Sequence, residues 1–515
     1  MKNRILYWVI CLLVFTSCSD FLEDYSQDLA YAASTSDLEE LLIGNCYIKR
    51  TAKKTSLSIA GSEKHTFPWL HVMDDDCVER NSATDAYGGF MPIEGFYHWD
   101  KNPFNQNGTP YKDETWSDLY SRIAIANVVI PKVDDMTEDP MEERNRIKGE
   151  ALFLRASFYY FLVNFYALPY SKTTADTELG VPLKLTEYIE DKYFSRNTVA
   201  EVYDAIVEDL QQAIPLLKGV EQTTVYQANE AAARLFLSRV YLYMEKWEDV
   251  IAQCDSVLKM ATYSLEDLRS FTMGTSFTRS GSPETIFSQG SYSMDLVMRE
   301  QYYSEWYTAI LPCPVVSDDL QDSYDENDLR WQAFMLESYK TPGLYRCIKL
   351  RDQDVDGYVS DVFLLRMAEV YLNKAEAQAM SGDETGAKAT LNILRENRFV
   401  QGQMPAIEEE MIANRDENFI DFIRNERRRE LCFEGHRWFD LRRYAVSSTY
   451  PFTKEILHPH YSRPSASQYS FEGNFRLKKY NEETAYVLPI PDYAISYNNG
   501  SLVQNAIREE RKINN

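Results

Sequence analysis

The sequence predicts a mainly α-helical chain: a scaffold of tetratricopeptide-like helix pairs, interrupted by long irregular loops, with minor β structure. Three observations predict this. Apolar residues recur every three and four positions through several long stretches, the period of one helix face. Two helix pairs turn tightly, and one repeats at about the 34-residue pitch of a tetratricopeptide unit. Between the periodic stretches lie two long segments without helical period, rich in Gly, Pro, Ser and aromatic residues.

The elements follow in order. Ser36 is a candidate N-cap with Glu39 three residues on, the pattern of a capping box. Trp116, Leu119, Tyr120, Ile123 and Asn127 mark a helix to Ile130. Ile147, Ala151, Leu154, Phe158, Phe161, Leu162 and Phe165 share a face of a long helix from Glu143 to Tyr166, stopped by Leu168-Pro169-Tyr170. Helices are expected from Thr198 to Leu217, Asn229 to Tyr243 and Trp247 to Met260. The last two turn at Glu245-Lys246-Trp247, with small Ala233 and Ala252 where helices cross closely. Val362 to Met380 and Thr385 to Asn397 form a second pair, turning at Ser381-Gly382-Asp383. Such helices bury their single apolar stripes by stacking on the next pair. The helical scaffold therefore occupies about 36–58, 114–260 and 361–445, the loop-rich insertions about 60–112 and 264–358, and residues 446–515 read as loops, short strands and a tail.

The formal net charge is −25, and the acidic field argues against nucleic acid and anionic membrane surfaces as partners. Aromatics make up 13% of the chain, with 36 Tyr, more than a core readily absorbs, and spare Tyr and Trp gather at binding surfaces. The 8 Cys include no C-x-x-C pair. Neither a disulfide framework nor a zinc site is expected, a single bridge between loop cysteines being the alternative.

The N-terminus carries a processing signal. Lys2 and Arg4 precede an apolar run from Ile5 to Phe15, too short to span a bilayer. Phe15-Thr16-Ser17-Cys18 then resembles a bacterial lipobox, with Phe15 where Leu is usual. Residues 1–17 would be the signal peptide and Cys18 the lipid attachment site. Acyl chains on one cysteine suffice for stable anchoring. Acidic Asp20, Glu23 and Asp24 follow directly.

The most charged helical stretch runs from Arg424 to Tyr444 and holds six arginines between Arg427 and Arg443. They cannot lose their charge, so they need carboxylate or carbonyl partners. Glu426, Glu430, Glu434 and Asp440 lie within the stretch, and Leu431, Phe433, Trp438, Phe439 and Leu441 supply an apolar side. Gly435 suits a helix end, with a second short helix from Arg437. The stretch reads as an internal clamp, with Arg427, Arg428 and Arg429 pairing acidic residues of neighbouring helices such as Glu369 and Glu376.

The same stretch carries a resemblance. Asn425-Glu426-Arg427-Arg428-Arg429-Glu430-Leu431 followed by Glu434-Gly435-His436-Arg437-Trp438-Phe439-Asp440-Leu441-Arg442-Arg443 is similar to the C-terminal signature of the SusD/RagB family. Gly149 to Ala156 running on to Tyr166, Leu365 to Ala377, and Leu488-Pro489-Ile490-Pro491 to Asn505 match its other blocks in the same order. The resemblance implies one domain over 18–515, a right-handed scaffold of tetratricopeptide-like repeats with inserted loops. It implies a lipid-anchored outer-membrane protein facing the cell exterior. It also implies docking as a lid on a SusC-like TonB-dependent transporter, and capture of oligosaccharide, or alternatively peptide, without chemistry. The family's ligand residues vary, so none carries over by motif.

No G-x-S-x-G, H-E-x-x-H, Walker or dinucleotide motif is present, so no enzyme and no cofactor is expected, a surface glycosidase being the less favoured alternative. Asp352-Gln353-Asp354-Val355-Asp356-Gly357 copies half of an EF-hand loop, but Phe363 stands where the bidentate Glu belongs, so it reads as an acidic turn. His65, His71 and His98 lack ligand spacing and read as packing or hydrogen-bonding groups; no metal site is expected. The candidate ligand platform is aromatic. The segments 65–111 and 290–310 are expected to converge, with Trp69, Tyr97, Trp99, Tyr302, Tyr303 and Trp306 as stacking rings and Asp74, Asp75 and Asn81 as polar partners.

Overall fold

The computed structural model describes residues 32–50, 67–80, 93–106, 109–110, 112–298, 301–302, 310–311, 314–338, 342–350, 357–416, 418–465 and 468–514. It is mainly helical. The scaffold helices are α1 (Thr35–Leu41), α2 (Thr115–Lys132), α3 (Met141–Tyr166), α4 (Val199–Leu217), α5 (Glu230–Tyr243), α6 (Trp247–Leu258), α7 (Met367–Met380), α8 (Glu384–Glu396), α9 (Ile407–Asn414), α10 (Phe419–Leu431) and α11 (Arg437–Ala445). From α2 to α8 each packs on the next, and α10 lies against α7. The succession is unbroken between α6 and α7 although a long insertion separates them in the chain. This is the stacked-pair logic read from the sequence.

The caps fix several helix starts. Thr198 and Glu201 make a reciprocal capping box at α4, and Asn229 caps α5. At α1 the box lies two residues earlier than expected: Ser34 is the N-cap and Asp37, not Glu39, completes it.

Helix α3 is the centre. It is buried on every side from Gly149 to Tyr166, not along one stripe. Gly149 allows this closeness: a Cβ there would stand 2.7 Å from Leu217 of α4. Arg155 of α3 forks onto Asp209 of α4 at 2.8 and 2.6 Å, so its charge is answered inside the pair.

The expected helix from Val362 begins late. Strand β2 (Leu364–Arg366) first pairs antiparallel with β1 (Thr285–Ser288), Leu365 opposite Phe287. The insertion between α6 and α7 is thus sewn to the scaffold just before α7. The C-terminal region is more ordered than its sequence suggests: β3 (Ile456–Ser465) and β4 (Gln468–Leu477) form an antiparallel hairpin. Cys46, Cys77, Cys254, Cys347 and Cys432 are buried free thiols that pack as small hydrophobes.

Candidate functional site

Two candidate regions meet at the arginine stretch, and the structure separates them into a buried clamp and an open cleft. Helices α10 and α11 break at Gly435, whose φ of +73° disfavours a side chain and where an added Cβ would stand a tight 3.2 Å from Leu70 and Val362. Around the break the arginines are buried and paired. Arg427 holds Asp440 at 2.8 Å, Arg428 holds Asp76 and Asp319 at 2.7 Å each, and Arg429 holds Glu426 at 2.6 and Glu410 at 2.7 Å. The clamp is internal, as expected, but its partners differ. Glu369 is taken by Arg239 at 2.6 Å and Glu376 by Arg443 at 2.5 Å. Arg442 instead donates to the carbonyls of Asn164 and Ala167 at the end of α3.

Glu430 is the hub. It receives Arg366 at 2.7 Å, Arg398 at 2.9 Å and Arg330 at 3.2 Å, all buried. Burial alone would raise its pKa; Arg398, Arg366 and Arg330 reverse this and hold it well below the usual carboxylate range. Burial is likewise overcome at Glu426, where Arg330, Arg429 and Arg395 bring the value to about 2.

This clamp absorbs residues expected to contact ligand. Asp75 is buried and lies 2.7 Å from Arg437 and 2.6 Å from Lys454. Burial opposes ionisation, but Arg428, Arg437 and Lys454 pull Asp75 well below its ordinary value. Asp74, buried beside Asp76 and Asp75, is pushed well above. Trp69 is fully buried and stacks on Phe96 at 4.8 Å. Trp99 donates its indole N–H to the Met73 carbonyl at 2.8 Å, and Trp99 and Tyr97 each stack on His458, centroids 4.1 Å apart in both cases. Trp69, Asp74, Tyr97 and Trp99 therefore present nothing to a ligand, whereas Asp75, although held in the clamp, borders the open cleft. Their rings and charges fasten the first insertion to hairpin β3–β4 and α10–α11. Asn81, Tyr303 and Trp306 lie outside the described residues, as do Cys18 and the acidic turn 352–356. Tyr302 belongs to a two-residue strand paired with Ile310–Leu311.

The two insertions meet: Met294–Val297 packs on Pro68–Val72, and a ladder forms beyond the expected segment 290–310. Cys77–Val78 pairs antiparallel with Val315–Val316, and Ser317 donates to the carbonyls of Asp75 and Asp76.

Beside that junction lies a cleft of about 510 Å³ that the sequence did not reveal. One wall is hairpin β3–β4, with Leu457, Tyr461 and Phe471; the other carries Arg80, Asp318 and Asp319. Tyr461 and Phe471 are neighbours across the hairpin, ring centroids 5.5 Å apart, and Phe471 is 54% exposed. Arg80 pairs with Asp318, and Lys454 bridges Asp75 and Asp319 at 2.6 and 3.3 Å. An apolar shelf thus faces a row of charged and hydrogen-bonding groups. A second cleft of about 720 Å³ lies between residues 100–113 and 489–511.

Comparison with known proteins matches this architecture. A family model described as "SusD family" matches residues 317–507, and one described as "Starch-binding associating with outer membrane" matches 56–242, together most of the chain. SusD-like protein P25 of Formosa agariphila is 23% identical, covering 87% of this chain and 90% of its own. A SusD-like protein of Bacteroides ovatus is also 23% identical, over 86% and 82%. Among solved structures, a SusD superfamily protein from Bacteroides thetaiotaomicron aligns with a TM-score of 0.68 at 20% identity, over 92% of this chain and all of its own. The surface glycan-binding protein A of Bacteroides thetaiotaomicron, solved with laminarihexaose, aligns at 0.61 and 16%, over 91% and 99%. The chain belongs to the SusD/RagB family.

Proposed function

We propose that this protein is a cell-surface lipoprotein of the outer membrane that captures oligosaccharides and delivers them to a SusC-like TonB-dependent transporter. The observation that carries the ligand assignment is the open cleft: exposed Phe471 beside Tyr461, facing Arg80, Asp318, Asp319 and Lys454. A sugar offers flat C–H faces to rings and hydroxyls to charged neighbours. Partial cover of one ring contributes roughly 1–3 kcal/mol. Two rings together contribute roughly 2–6 kcal/mol before association entropy is deducted, so hydrogen bonds from the charged wall must supply the rest of even a millimolar affinity. The description of the matching family model and the laminarihexaose complex of a relative with this fold support a glycan over other ligands. We carry Asn81, Tyr302, Tyr303 and Trp306 as further contacts.

The test is calorimetry on the soluble chain starting at Ser19, against plant, host and microbial polysaccharides and peptide pools. Phe471→Ala and Tyr461→Ala should each weaken glycan binding about tenfold, since 1.4 kcal/mol is tenfold, without moving Tm. Unchanged affinity in both variants places the ligand elsewhere. Binding of peptides and no glycan would replace the oligosaccharide by a peptide ligand.

We also propose that residues 1–17 are removed, that Cys18 bears the lipid, and that 18–515 act as one domain. Among the described residues no helix is long and apolar enough to cross a membrane. Cys18→Ala is therefore expected to move the protein out of the membrane fraction. Membrane association that persists in Cys18→Ala contradicts the anchor.

A further inference from the structure

Behind the cleft wall the hairpin brings together three residues that are far apart in the chain. Glu94 and His98 flank the helical turn Glu94–Tyr97, and their i, i+4 spacing puts both side chains on one face. His460 arrives from β3. One donor atom from each lies within 4.8 Å of the other two, and His98 Nε2 stands 3.9 Å from Glu94 Oε1. The two imidazoles meet edge to face, centroids 5.2 Å apart, and Phe475 stacks under His98 at 3.9 Å.

These separations are too long for hydrogen bonds and close to those of groups sharing an ion. Ligands about 2.1 Å from a common tetrahedral ion stand roughly 3.4 Å apart, so His98 and Glu94 need close by only about half an ångström. A second observation points the same way. His98 Nε2 is a buried atom with no hydrogen-bond partner. The His98 and Glu79 side chains are only 9% and 1% exposed. An orphaned buried polar atom costs about 1–3 kcal/mol, and His98 Nε2, which faces Glu94, calls for a ligand that takes its lone pair. Glu79 sits 3.6 Å from His460 Nδ1. A carboxylate behind an imidazole fixes the ring of a metal-binding histidine.

We propose that Glu94, His98 and His460 form a binding site for a divalent transition-metal cation of the zinc class, with Glu79 orienting His460. Two imidazole nitrogens and one carboxylate suit zinc and its neighbours; calcium and magnesium take oxygen ligands. Glu94 and His460 are each 19% exposed, which leaves a way in from solvent and a position for water. The ion ties the turn Glu94–Tyr97 of the first insertion to β3. Tyr461, the next residue on that strand, lines the cleft. Metal would thus set the stiffness of the cleft wall, whatever the cleft binds. The sequence concealed the site because His460 lies more than 350 residues from His98, in a region read only as loops, short strands and a tail.

The experiment uses the untagged chain from Ser19, stripped with EDTA and dialysed metal-free. Calorimetric titration with Zn²⁺ is expected to show one bound equivalent. Co²⁺ should develop the visible absorption of a nitrogen- and oxygen-ligated ion, and Zn²⁺ should raise Tm. His98→Gln and His460→Gln should each weaken Zn²⁺ binding at least tenfold. Because His98 is buried, the partly exposed Glu94→Gln serves as the variant least able to disturb folding, and its metal-free Tm should equal that of wild type while its Zn²⁺ affinity falls. Absence of stoichiometric Zn²⁺ or Co²⁺ binding overturns the proposal. So does wild-type affinity in the Glu94→Gln, His460→Gln double variant.

Discussion

Glu430→Ala should lower the melting midpoint more than any other single substitution in the clamp, or leave the chain unfolded. The carboxylate is fully buried and answers Arg366, Arg398 and Arg330 at once. Removing one partner of a buried pair costs about 3–5 kcal/mol, because the remaining charge is stranded out of water. Here three guanidinium groups lose a partner, though Glu284, Glu434 and Asp328 retain part of their contacts. The size of the effect comes from burial, not from counting bridges. Lys388, on the surface with Glu384 and Glu408, makes as many ion pairs as some of these arginines, yet Lys388→Ala should leave Tm unchanged within error. Thermal melts of the two variants beside wild type check this. A Glu430→Ala protein that melts like wild type would show that the clamp is not structural.

The second large effect is pH-dependent and carries the opposite sign. Asp113 is buried, accepting the Thr115 amide at 2.9 Å and the Tyr166 hydroxyl at 2.6 Å. Burial pushes its pKa up to about 7, and those hydrogen bonds offset only part of the shift. The unfolded value is about 3.9. Below that value both states are protonated and the contribution is fully present. As pH rises toward 7 the folded state keeps a proton that the unfolded state has lost, so stability falls. The total is on the order of 3–4 kcal/mol by pH 8. Asn cannot ionise. The Tm of Asp113→Asn minus that of wild type should therefore grow from pH 5 to about pH 7 and level off by pH 8. Taking the difference removes the contributions of every other group, including His458, whose burial lowers it to about 4. A difference that does not vary with pH contradicts the assignment. The clamp carboxylates act in the other direction. Glu430 and Glu426 sit below their unfolded values, so their stabilisation holds above about pH 4.3 and is lost as pH falls through the folded values.

The scaffold was legible because its signals are local. The period of α3, the Thr198 cap of α4 and the tight turns between helix pairs each lie within one stretch of chain. What failed depended on distant partners. The apolar run from Val362 is compatible with helix until β1 claims Leu364–Arg366 for a ladder. Hairpin β3–β4 was hidden by Pro459 and Pro464, which argue against a central strand but are tolerated at an edge. The need of the arginines for internal partners was readable from charge alone. Which carboxylate each takes was not, since Arg428 reaches Asp76 across most of the chain. The aromatic insertion shows the limit most clearly. Trp69, Tyr97 and Trp99 have the composition of a binding platform, and burial alone decides that they pack inward while Tyr461 and Phe471 face the cleft.

The property we propose for this protein is binding of oligosaccharide without altering it. Native affinity electrophoresis of the chain from Ser19 in gels cast with single polysaccharides tests it most directly, with the same mixtures assayed for new reducing ends. The account predicts retardation by at least one polysaccharide, release of that retardation by the matching oligosaccharide, loss of it in a Tyr461→Ala, Phe471→Ala double variant, and no new reducing ends. Free migration through every polysaccharide, or retardation accompanied by new reducing ends, would contradict it.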